Sequence, residues 1–80
     1  MTTPTLDTTP AIRVGTLWTQ RVRDREGKIL TRVIEVITRP SLSVPVGYRI
    51  VRNDAHPHRV GKTGTIRVSD LRRKYEAVAA

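Results

Sequence analysis

Residues 65–75, TIRVSDLRRKY, are the stretch on which the fold turns. Ile66 and Val68 fall on one side of an extended chain and Thr65 and Arg67 on the other, the period-two pattern of a half-buried strand. We read residues 65–69 as a fourth strand. The pattern then runs into Ser69, a good N-cap, and Asp70, which suits a first helical turn. Two continuations follow. In one, residues 70–72 make a single 3-10 turn and residues 75–78 a fifth strand that closes a small β-barrel. In the other, Leu71, Tyr75 and Val78, spaced i, i+4, i+7, form the apolar stripe of a helix over 69–79, giving an α+β domain with a four-stranded sheet. The helix-forming Leu, Arg, Lys, Glu and Ala favour the helix. The open edge that four strands leave favours the strand.

Upstream, residues 54–64, DAHPHRVGKTG, read as a polar loop. His56 and His58 flank Pro57, but no third ligand stands at a metal-binding spacing, so the pair reads as two solvated histidines. Gly61-Lys62-Thr63 resembles the end of a phosphate-binding loop. The full pattern needs a glycine where this chain has His56, a preceding strand and a following helix, and none of these is present. Arg59 and Lys62 instead mark the tip of a basic hairpin loop that can meet phosphates.

Residues 46–53, VGYRIVRN, form a strand with Val46, Tyr48 and Ile50 on one side and Arg49 and Val51 on the other. Before it, residues 39–45 hold Pro40 and Pro45 and read as an extended loop, since proline removes ladder donors. Residues 28–38, KILTRVIEVIT, are a long β-branched strand with an imperfect alternation. Ile29, Val33 and Ile37 share one side with Glu35, while Leu30, Ile34 and Val36 share the other with Arg32. Either both sides bury something or a bulge shifts the phase midway. Residues 24–27 are a turn with Gly27 at positive φ. Residues 12–22 are the first strand region, with Gly15 at a bend. Trp18 reads as a core anchor rather than a base-stacking platform, because a lone aromatic stacks few bases. The hairpin over 21–32 carries Arg21, Arg23, Arg25, Lys28 and Arg32 against Asp24 and Glu26. Residues 1–11, rich in Thr and Pro, read as a disordered tail, leaving 12–80 as one small domain.

Composition narrows the function. Eighty residues leave little room for a deep ligand cavity. The absence of cysteine excludes disulfides and thiolate sites. No stretch has the character of a secretory signal or a membrane-spanning helix. Fifteen Lys and Arg against seven acids give a net charge of +8, which makes polyanions the leading partner class. Ser41, Ser43 and Ser69 lie on loops or a cap with no histidine in register, and the acids neighbour cations, so we expect no enzyme and no cofactor.

Gly15-x-x-Trp18, Asp24-Arg25 with Gly27-Lys28, a β-branched strand, Gly47-Tyr48-Arg49-Ile50-Val51, and Thr65-Ile66-Arg67-Val68 followed by Leu71-Arg72-Arg73-Lys74-Tyr75-Glu76 together resemble short basic proteins of actinobacteria and their phages, over most of 13–78. Strand order and a one-turn helix before the last strand also resemble SH3-like barrels of the KOW and Tudor sort, although the glycine-centred KOW core has no counterpart here. The resemblance implies an all-β, five-stranded SH3-like barrel with a one-turn 3-10 helix before the last strand, and it tips the 65–75 stretch toward the turn and closing strand. It also implies a cytoplasmic protein, in the host cytoplasm if phage-encoded.

The function expected is a non-enzymatic nucleic-acid-binding module that contacts DNA or RNA phosphates through Arg21, Arg23, Arg25, Lys28, Arg59, Lys62, Arg72, Arg73 and Lys74. The alternative is a protein-interaction module, such as a phage-encoded modulator binding an acidic patch of a host protein. An edge strand around 46–53 would then offer pairing to a partner or to a second copy in a homodimer. No membrane partner is expected.

Overall fold

The computed structural model describes residues 12–40 and 44–78, so the expected tail over 1–11 lies outside the described residues. Five antiparallel strands form one sheet: β1 (Leu17–Arg23), β2 (Ile29–Thr38), β3 (Val46–Asn53), β4 (Thr63–Ile66) and β5 (Glu76–Ala77). Their order across the sheet is β4-β3-β2-β1-β5. A 3-10 turn, Pro57–Arg59, lies between β3 and β4, and a helix, α1 (Val68–Lys74), joins β4 to β5. Among the described residues no ladder joins β4 to β5, so the sheet is open, with these two short strands at its edges.

The deciding stretch resolves as neither continuation alone. The fifth strand exists, pairing Glu76 with Thr19 and Ala77 with Trp18. The Val78 N–H adds a bond to the Leu17 carbonyl. The segment before it is a seven-residue α-helix rather than a single 3-10 turn. Leu71 and Tyr75 explain both its length and its end. They stand one turn apart on one helix face and both are buried. The Tyr75 N–H closes the last turn on the Leu71 carbonyl, and Tyr75 itself is already extended. A helix continued to residue 79 would leave the outer edge of β1 unpaired along Leu17–Thr19, where β2 occupies only the inner edge. Ser69 is not the N-cap. Arg67 occupies that position without a side-chain bond, and Asp70 reaches forward to Arg73 instead. The fourth strand likewise runs earlier than 65–69, because Gly61 turns the chain at φ 93° and starts the pairing sooner. At Gly64 a Cβ would lie 2.7 Å from the Tyr48 hydroxyl, so a side chain there would push the ring off the strand.

The long strand β2 keeps one phase from Leu30 to Val36, with no shift midway, and Val33 on its other side is half-buried. Leu30, Arg32, Ile34 and Val36 face the core, while Ile29 and Ile37 are exposed. Against β3 the register slips between Val33 and Ile34 and again between Val36 and Thr38. The first slip leaves Val51 as the extra residue. Its consequence is electrostatic. In continuous register Arg52 would stand opposite Arg32 on the core side; with the slip Asn53 takes that place and Arg52 faces outward opposite Val33.

The core is one cluster: Trp18, Ile34, Val36, Val46, Ile50, Leu71 and Tyr75, with Ile12, Tyr48, Ile66, Val68 and Ala77 packed around it. Trp18 is anchored as expected, its indole N–H donating to the Thr16 hydroxyl at 3.3 Å. The bend at Gly15 is real, with φ 91° and its N–H on the Val36 carbonyl. Strand β3 is interior, flanked by β2 and β4, so an edge around 46–53 is not available for pairing. No described helix is long and apolar enough to cross a membrane.

Candidate nucleic-acid interface

Antiparallel pairing sends the β1–β2 turn and the β3–β4 loop to the same end of the sheet. The two are tied there. Asp24 closes the turn, its Oδ1 accepting from the Glu26 and Lys28 N–H groups at 2.9 and 2.8 Å, with Gly27 at φ 82°. Across the strands, the Asp54 N–H donates to the Thr31 carbonyl and the Thr31 N–H donates to Asp54 Oδ2, both at 3.0 Å. Arg52 grips the same carboxylate, its Nε 2.9 Å from Oδ1. Asn53, buried, accepts the His56 N–H on its Oδ1 and so fixes the entry to the 3-10 turn.

All the expected contact residues are exposed. Arg21 and Arg23 project from β1 on the side opposite Trp18, and Arg25 and Lys28 flank the turn. Arg59 ends the 3-10 turn and Lys62 immediately precedes β4. Arg72, Arg73 and Lys74 form the last turn of α1. Because α1 hands over to β5 opposite Thr19, its basic C-terminus reaches the flank of β1. Arg21 and Lys74, distant in sequence, thus line one cleft of about 130 Å³ with Thr19, Gln20 and Glu76. Lys28 shares a broad groove with Arg52 and Asp54. Arg59 lines a third cleft, of about 220 Å³, together with Arg32. Arg23, Arg25, Lys62, Arg72 and Arg73 line none of these three. Arg73 is also engaged by Asp70 at 2.8 Å.

The acids are largely committed to structure. Glu35 meets Arg49 directly across the β2–β3 ladder at 2.6 Å. Hydrogen bonds from Arg52 and then from the Thr31 N–H lower the Asp54 pKa against the opposing effect of burial. The reciprocal bond to Asp54 raises the Arg52 pKa. Arg73 lowers the Asp70 pKa in the same way. Burial raises the Tyr75 pKa, partly opposed by the charge of Arg32. Committed acids leave the cations of the hairpin turn and loop with excess positive charge.

The His56 and His58 rings sit edge to face, 5.8 Å apart, and among the described residues no cluster of three metal-binding side chains exists. Gly61-Lys62 is zipped onto β3, the Gly61 N–H donating to the Ile50 carbonyl and the Ile50 N–H to the Lys62 carbonyl. Those backbone groups are therefore spent on the ladder and do not cradle a phosphate. Arg32 and Arg52 were absent from the expected contact set. The signal for Arg32 was its place among Leu30, Ile34 and Val36, an arginine on an otherwise apolar strand face.

Comparison with protein-family models, with curated proteins and with solved structures finds no match to this chain.

Proposed function

We propose that the chain is a non-enzymatic nucleic-acid-binding module of the SH3-like barrel type. The order β4-β3-β2-β1-β5, with a short helix bridging the two edge strands, supports the SH3-like reading. One observation carries the function: the β1–β2 turn and the β3–β4 loop bring their cations to one end of the sheet, and Lys74 at the end of α1 shares a cleft with Arg21 on β1, while four acids, Asp24, Glu35, Asp54 and Asp70, are held in structural bonds. Such a surface binds the phosphate backbone and releases counterions, with weak dependence on base sequence. Arg21, Arg23, Arg25, Lys28, Arg59, Lys62, Arg72, Arg73 and Lys74 supply the contacts.

The test is an electrophoretic mobility shift with mixed DNA and RNA at low and physiological salt. Neutralising about six phosphates gives a log–log salt slope near −5. Absence of any shift at low salt rejects the reading. Reversing Arg21 and Lys74 together to Glu should weaken binding at every sequence; an unchanged affinity would displace the interface from this surface.

A further inference from the structure

The cleft between Arg32 and Arg59 differs from the other two, each of which includes a carboxylate, Asp54 in one and Glu76 in the other. It is built mainly on the core side of the sheet. Gln20, Val22, Leu30, Arg32 and Asn53 line it, and the register sets Gln20 and Asn53 either side of Arg32 and Val22 opposite Leu30. Ala55, His56 and Arg59 wall it from the β3–β4 loop. No carboxylate lines it. The Nε of Arg32 is buried without a hydrogen-bond partner, and among the described residues Arg32 has no ion pair. A buried, unpaired guanidinium N–H is costly to keep and rare in folded proteins.

We infer that this cleft is a seat for one phosphate of a nucleic-acid backbone, with Arg32 as its fixed fork and Arg59 as a second fork from the loop. The inference rests on the nucleic-acid reading above and gives it a defined centre. Two guanidiniums from different elements approach one space. A tetrahedral phosphate offers acceptors in more than one plane and satisfies both, whereas a planar carboxylate best fits a single fork. The volume is below the roughly 300 Å³ at which whole small-molecule sites begin. It suits a phosphodiester with its sugar against the apolar rim of Val22 and Leu30. The surface cations steer and neutralise; Arg32 fixes register.

The experiment uses the full chain, labelled with ¹⁵N in a phosphate-free buffer, and follows the Arg32 Nε–Hε resonance during titration with a thymidine octanucleotide, inorganic phosphate and polyglutamate. The seat predicts a saturable shift with the octanucleotide and with phosphate. Arg32→Lys keeps the charge and loses the fork, so octanucleotide affinity should fall about tenfold with the salt slope unchanged, while Arg25→Gln should reduce the slope by about one. Octanucleotide binding with Arg32 unmoved and Arg32→Lys without effect would overturn the seat and leave the wider reading intact. An octanucleotide that fails to bind at low salt would overturn the nucleic-acid reading; a saturable shift with inorganic phosphate would then support the anion seat alone, and no shift would reject it. A response to polyglutamate equal to that for phosphate would overturn the choice of phosphate in favour of an acidic protein.

Discussion

One side of the sheet carries two unlike halves, and the boundary between them is a single step along the strands. Trp18, Ile34 and Ile50 form the last buried apolar row, closed over by Leu71 and Tyr75. The next row on the same side is Gln20, Arg32 and Asn53, opening into a cleft. Side chains two residues apart on a strand are about 7 Å apart, so the change from dry core to polar cleft happens within one layer of side chains. The helix makes the difference. Seven residues span about 10 Å, enough to cap the apolar half and not the other. The first half should therefore hold stability, and the second should hold what the protein binds.

The largest effect expected follows from removing the cap. Leu71→Ala empties a fully buried position and should cost about 2–5 kcal/mol. In a domain of this size each kcal/mol lowers the melting temperature by about 4–8 °C, so Trp18 fluorescence and circular dichroism should show a fall of at least about 8 °C. A loss under about 1 kcal/mol would mean that α1 merely lies on the sheet. Gly47→Ala, at the same end of the strands but on the other side of the sheet, ranks next. Its Cβ would stand 2.7 Å from the Cβ of Thr38, an atom fixed to the backbone beside the second β2 slip. Overpacking of this kind costs about 1–3 kcal/mol, measurable by chemical denaturation.

The two halves also differed in how well the sequence revealed them. The apolar half was legible because alternation reports burial directly. Val46, Tyr48 and Ile50 face inward on β3 as their spacing requires, and Trp18, Leu71 and Tyr75 reach the core. The polar half was only partly legible. Nothing local tells that Val51 is skipped, yet that skip decides whether Asn53 or Arg52 faces Arg32. The edge around 46–53 and the single 3-10 turn failed for the opposite reason. Both depended on where β4 and β5 dock, and long-range pairing leaves no periodic trace in the docked segment. The convergence of Arg21 with Lys74 is likewise a product of β5 pairing with β1.

The polar half should behave in reverse when trimmed. Replacing an unsatisfied buried donor with an apolar side chain of similar reach removes a desolvation penalty instead of creating one. Arg32→Met is therefore expected to leave stability within about 1 kcal/mol of the parent, or to raise it, while it abolishes the phosphate response of the cleft. Equilibrium denaturation alongside octanucleotide binding separates the two. A loss of stability comparable to that of Leu71→Ala would erase the division between the halves.

Acid provides the mildest test, because the groups concerned are partly exposed and screened. Asp54 and Asp70 both titrate below the ordinary carboxylate value, held there first by Arg52 and Arg73 respectively. A depressed folded pKa means that the stabilisation is complete above the unfolded value of about 3.9 and is lost as the pH falls through the folded one. Stability should thus be level from neutral pH to about 4 and decline below it. The decline should be uneven in space. Asp54 ties the loop bearing Arg59 to Thr31 on β2, whereas the core cluster contains no acid. Amide exchange on the β3–β4 loop should accelerate before exchange at Ile34 and Ile50 does. Asp54→Asn should weaken the loop at neutral pH and remove its share of the acid decline. If loop and core instead open together at every pH, with Asp54→Asn following the parent curve, the carboxylate is not what holds the walls of the cleft.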